Sequence, residues 1–124
     1  TTALLLACDG ARSTCRKFAN ISTTSRDYQQ SALIANVGTA IHHKNIAYER
    51  FTQTGPIAML PLSTLSTNSQ QSSAGRCSLV WTLTPELAED MLNLSDDEFA
   101  AQLEKSFGRW LGNITQVGKR AVYP

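Results

Sequence analysis

Net charge is almost absent from this sequence. Eleven Lys and Arg stand against ten Asp and Glu, a formal balance of +1. So small a balance gives no long-range field to gather phosphates, and Lys and Arg are scattered with never more than two together, which excludes nucleic acid as an expected partner. Long apolar runs are missing as well. None approaches the ~20 residues that cross a bilayer, so no transmembrane segment is expected. The stretch "ALLLAC" has no basic region before it and no spacer to a cleavage site, and is not expected to act as a signal peptide. Cysteine is scarce and odd in number. Cys8, Cys15 and Cys77 match no metal-ligand spacing, and are expected as reduced, mostly buried thiols of a cytoplasmic protein. The three sequons, at Asn20, Asn93 and Asn113, matter only in a secreted chain. There is no Gly-x-Gly-x-x-Gly loop for a dinucleotide, and Ser13 lacks the Gly-x-Ser-x-Gly frame of a nucleophile elbow.

What is present describes an ordinary folded domain. The 124 residues, 42% hydrophobic and 17% charged, suffice for one modest core. Ala3 to Cys8 is apolar at every position and is expected as a strand buried on both faces. Arg12 and Arg16, four apart, are expected on one side of a helical turn after Gly10. Asn20 to Asp27 reads as a linker. Four strand-like runs follow: "SALIANV", "IAYERFTQ", "IAMLPL" and "RCSLVWTL". In the last, Cys77, Leu79, Trp81 and Leu83 share a face. Gly55-Pro56 joins the second and third runs as a hairpin. Ser63 to Gly75, mostly Ser, Thr, Asn and Gln, reads as a flexible loop between the third and fourth.

Two helices come next. Thr84-Pro85 is an N-cap followed by Pro at the first helical position. Ser95 to Glu98 is a capping box, with Leu94 and Phe99 as its hydrophobic staple. Phe99, Leu103 and Phe107 form one stripe that Gly108 ends. A last strand is expected from Ile114 to Val122. The expected fold is therefore α+β, an antiparallel sheet with helices packed on one face.

The residues offer no self-contained active site, and no catalytic residue is assigned. His42 and His43 are adjacent, point to opposite faces of an extended segment, and are expected as an exposed loop pair unable to share a metal. Asp96, Asp97 and Glu98 read as the acidic first turn of a helix. The opening stretch "CDGARSTCR" is different. A strand ending in Asp9-Gly10 and a turn with two arginines suits a phosphate-bearing ligand: Gly allows close backbone approach, Asp accepts from a hydroxyl, and Arg clamps pyrophosphate. A plain strand–turn–helix connection would use the same residues.

Asp9, Gly10, Ser13 and Arg16 match the pattern Asp-Gly-x-x-Ser-x-x-Arg, and here the chain resembles the flavoprotein aromatic hydroxylases. "YQQSALIANV", "ERFTQTGPIAMLPL", "GRCSLVW" and "FGRWLGNITQVGKRAVYP" extend the likeness to the ubiquinone-biosynthesis branch, nearest to the 2-octaprenyl-6-methoxyphenol hydroxylases. The resemblance implies an internal piece of a larger enzyme. Residues 1–27 would be a remnant of the FAD domain (a strand, the fingerprint turn and a linker). Residues 28–124 would be the substrate domain of a p-hydroxybenzoate hydroxylase-like fold. It implies that the parent is a monooxygenase using FAD and NAD(P)H to hydroxylate a polyprenyl phenol, with other ubiquinone-biosynthesis proteins as partners. It also implies a cytoplasmic place that leaves open attachment to the inner membrane, and little or no cofactor held by this stretch by itself. Asp9, Gly10, Ser13 and Arg16 would be cofactor-binding. Tyr48, Met59, Pro61, Ser78 and Pro124 would border the substrate. Two alternatives stand beside this reading: a stand-alone α+β module holding an apolar ligand without chemistry, and a sister hydroxylase acting at another ring position.

Overall fold

The computed structural model describes residues 2–63 and 74–124. Most of the expected Ser63–Gly75 loop lies outside them. Six strands form one antiparallel sheet: β1 (Ser31–Thr39), β2 (Tyr48–Phe51), β3 (Pro56–Pro61), β4 (Gly75–Leu83), β5 (Ile114–Val117) and β6 (Ala121–Tyr123). Their order is β2-β3-β4-β1-β5, with β6 also on β1 beside β5. Alternation builds the inner layer. In β1 and β4 every second residue is buried, and the register Leu33↔Trp81, Ala35↔Leu79, Val37↔Cys77 sets those side chains on one face. Ile57 and Met59 of β3 extend the same face, opposite Trp81 and Leu79.

Both longer helices begin where the sequence signals them. In α2 (Pro85–Asn93) the Thr84 hydroxyl accepts from the Leu87 amide. In α3 (Asp96–Phe107) the Ser95 hydroxyl accepts from the Glu98 amide, and the Glu98 carboxylate accepts from the Ser95 amide. The Ser95 hydroxyl also donates to that carboxylate at 2.7 Å, and this bond, with the one from the Ser95 amide, holds the Glu98 carboxyl below the usual carboxylate range. Gly108 ends α3 at φ +92°, a backbone region that favours glycine. Ala88, Phe99, Leu103 and Phe107 come down on the inner face of the sheet and close a single core with it. The fold is α+β, with α2 and α3 on one face of the sheet.

Four expectations need correcting. Ala3–Cys8 forms no strand, and Leu4, Leu5 and Leu6 are each more than 70% exposed. A strand exists only through its ladder, and among the described residues none pairs with this one. Arg12 and Arg16 do not share a helix face, because α1 (Thr14–Phe18) starts only after its N-cap Ser13. The last strand is two. Gly118–Arg120 leave the ladder between β5 and β6, with the Gly118 amide still bonded to the Asn36 carbonyl at 2.8 Å. Of the three thiols only Cys77 is buried, since Cys8 and Cys15 lie outside the core; that burial pushes the Cys77 thiol up.

Candidate functional site

Asp9, Gly10, Ser13 and Arg16 are brought together in a single turn. One Asp9 oxygen accepts from the Ser13 hydroxyl, and the other accepts from the amides of Thr14 at 2.7 Å and Cys15 at 3.1 Å. The Ser13 hydroxyl in turn accepts from the Arg16 amide at 2.9 Å, and the Arg16 guanidinium donates to the Ala11 carbonyl. With the Ser13 amide donating to the Gly10 carbonyl at 3.1 Å, the four positions form one hydrogen-bonded unit. Gly10 stands at φ +76° with open space where a Cβ would project.

The Ser13 hydroxyl, with the Cys15 and Thr14 amides, holds the Asp9 carboxyl down at about 2, from an ordinary 3.8. A depressed carboxyl stabilises the turn above its ordinary value and loses that contribution as pH falls through the folded value. The Thr14 and Cys15 amide resonances are accordingly expected to titrate together with a midpoint near pH 2, and not near the ordinary 3.8. In Asp9→Asn they should show no such titration, and their hydrogen exchange should quicken.

The substrate positions implied by the resemblance are divided by the sheet. Tyr48 pairs with Met59, and Met59 with Leu79, so all three side chains belong to the helix-covered face. Met59 is fully buried and Tyr48 half-buried. Pro61, opposite Cys77, has the same parity at the end of β3. Ser78 projects on the other face, and Pro124 is exposed just beyond β6. That other face carries neither α2 nor α3. Ala58, Val80, Ile34 and Ala121 form an apolar row across it, bordered on one side by Leu60, Ser78 and Asn36 and on the other by Thr82, Ala32 and Tyr123. Sequence reasoning did not single out Leu60, Val80 or Ile34. The signal was present in the alternation of "RCSLVWTL", which sets Ser78 and Val80 opposite Leu79 and Trp81.

A groove of about 540 Å³ lies on the helix side at the edge strand β2, lined by Tyr48, Glu49, Arg50, Phe107 and Trp110. The Arg50 guanidinium donates to the Phe107 carbonyl at 3.1 Å and ties β2 to the end of α3.

The histidine pair is not an exposed loop pair. His43 is buried: its Nε2 lies 3.2 Å from the Leu62 carbonyl, and its Nδ1 accepts from the Asn45 amide. Nor do the rings diverge, because the segment turns and brings their centroids to 4.4 Å. Among the described residues no three His, Cys, Asp or Glu side chains gather to hold a metal ion, and no helix is long and apolar enough to cross a membrane.

No family model matches the chain. Individual relatives do. Ubiquinone hydroxylase UbiL of Rhodospirillum rubrum is 35% identical over 120 residues, 97% of this chain and 26% of that protein. The ubiquinone biosynthesis monooxygenase COQ6 of Danio rerio is 37% identical over 107 residues, 86% of the chain and 20% of that protein. Both of these relatives are named for hydroxylation or monooxygenation in the ubiquinone pathway. An uncharacterized Synechocystis protein, slr1300, is 32% identical over 123 residues, 99% of the chain and 27% of that protein. The chain thus spans about a quarter of the length of these relatives. The alignment to UbiL takes in 97% of this chain, and so both the fingerprint turn and the sheet.

Proposed function

We propose that the protein carrying this chain is a flavin-dependent monooxygenase that hydroxylates a polyprenylated phenol in ubiquinone biosynthesis, and that this stretch supplies the wall against which the ring is held. Identity above 30% along nearly the whole chain, to proteins named for that pathway, carries the reading. The domain division (1–27 with the cofactor side, 28–124 with the substrate) belongs to the same proposal. So does a p-hydroxybenzoate hydroxylase-like substrate domain.

The uncovered sheet face supports it physically. A phenol ring needs a flat apolar surface with a few polar groups at its rim. The row Ala58, Val80, Ile34, Ala121 is such a surface, and Ser78 and Asn36 are the rim. Met59, Pro61 and Tyr48 support the wall from behind, and Pro124 borders the ring from the end of β6.

At the fingerprint, the clear space beside Gly10 and the exposed Arg12 fit a bulky anionic ligand passing close to the backbone. Asp9, Gly10, Ser13 and Arg16 would hold FAD there, with Asp9 and Ser13 keeping the turn in shape. Bound FAD, reduced by NAD(P)H, would supply activated oxygen, one atom entering a ring C–H bond and the other leaving as water. The part of this chain is to orient the ring and keep water away from it.

The test is an assay of the whole protein. It should copurify with FAD and, with NAD(P)H and oxygen, add one hydroxyl to a prenylated phenol, seen as a 16-dalton gain by mass spectrometry. A protein that binds prenylated phenols yet never oxidises them under those conditions would be a binding module instead.

A further inference from the structure

The geometry points to a prenyl-tail subsite behind β2, formed by Tyr48, Phe107 and Trp110; it rests on the proposed substrate and adds the place where that substrate's tail lies. Three separate parts of the chain meet there: Tyr48 begins β2, Phe107 ends α3, and Trp110 stands in the turn that follows. Trp110 is 73% exposed, so its indole contributes little to the core and leaves a broad apolar surface facing the groove.

A side chain ties the two walls of the groove together. Arg50 donates to the Phe107 carbonyl, which fixes the floor and engages the one cation lining it. Gly108 stands between them: a Cβ there would come within 3.3 Å of both the Arg50 guanidinium and the Trp110 ring. The space suits an aliphatic chain. A five-carbon prenyl unit occupies on the order of 100 Å³ at close packing. The 540 Å³ groove therefore matches roughly four or five such units.

The route from ring to tail is short. β2 is the last strand on its side of the sheet, so only one strand separates the uncovered face from the groove. Phe51 and Leu60, both exposed, stand beside that edge on the uncovered face. Leu60 lies past the Tyr48 end of β2 and Phe51 at the opposite end, so a ring lying near Ser78 and Leu60 would pass its tail around the Tyr48 end of β2 to the aromatic groove.

The test uses the whole protein, with two readouts. Equilibrium binding of geranylgeraniol, a tail without a ring, should weaken about tenfold in Trp110→Ser and recover in Trp110→Phe. In turnover, KM should fall with each added prenyl unit in the natural protein. In Trp110→Ser that dependence should flatten, while a tail-less phenol keeps its KM. Unchanged geranylgeraniol binding and unchanged tail-length dependence in Trp110→Ser would overturn the subsite, as expected if another part of the polypeptide fills the groove. If no phenol is turned over but geranylgeraniol binding still depends on Trp110, the proposed reaction fails and the subsite stands.

Discussion

Replacing Phe99 with alanine is expected to lower the stability of this fold by about 3–5 kcal/mol, the usual cost of deleting a fully buried ring. Phe99 has no solvent exposure and sits at the fourth position of α3, where it meets both partners of the core. Its ring stands edge-on to Trp81, with centroids 6.2 Å apart and planes at 61°. The guanidinium of Arg120 lies over the ring, 5.0 Å from its centroid. Alanine would remove both contacts and leave a cavity between the sheet and α3. Leucine at the same position fills much of that space and should cost about half as much. Equilibrium urea unfolding checks both values. A loss below about 1 kcal/mol in Phe99→Ala would mean that α3 is not anchored to the sheet through this ring.

The second large effect is expected at Arg120. Its side chain occupies a core-side position between β5 and β6, is only 14% exposed, and makes three kinds of contact. One nitrogen donates to the Met91 carbonyl at the end of α2, at 3.2 Å. Another meets the Asp96 carboxylate at the start of α3, at 3.0 Å. The plane of the group covers Phe99. One side chain thus ties the sheet to both helices, and Arg120→Ala is expected to cost about 2–3 kcal/mol. Lysine keeps the charge and loses the fork, so Arg120→Lys should fall between alanine and arginine. Asp96→Ala should cost less than about 1 kcal/mol, because that carboxylate is 66% exposed and largely screened. The same unfolding measurement distinguishes them. An equal loss in Asp96→Ala and Arg120→Ala would show that the ion pair, and not the Met91 carbonyl and the Phe99 ring, carries the effect.

The parts of the fold that could be read from the sequence are those governed by near neighbours. Thr84-Pro85 and Ser95-x-x-Glu98 fix two helix starts within four residues each, and both helices begin there. The period-two pattern of "RCSLVWTL" likewise sets the buried face of β4 without reference to any other strand. What eluded reading depends on distant partners. Ala3–Cys8 has the composition of a buried strand, but composition cannot supply a neighbour, and the run remains exposed here. His43 looked like a loop residue, yet it is buried, with its ring beside the carbonyl of Leu62, nineteen positions away.

The candidate site divides in the same way. The Asp-Gly-x-x-Ser-x-x-Arg turn is legible because its spacing is a local hydrogen-bond network. The assignment of Tyr48, Met59 and Ser78 to one surface was not, since it requires the registers of three strands. Those registers set Ser78 against the other two. Trp110 is a lone aromatic in the sequence, and becomes part of a groove only when α3 brings it beside β2.

The placement of β1 has a kinetic consequence. It pairs with β4 across most of the domain, Ser31 with Leu83, and again with β6, Ile34 with Ala121. No tight hairpin nucleates either ladder, and closing such wide loops is slow. During synthesis on the ribosome, one flank of β1 would wait unpaired until almost the final residues of this stretch emerge, open meanwhile to mispairing with other chains.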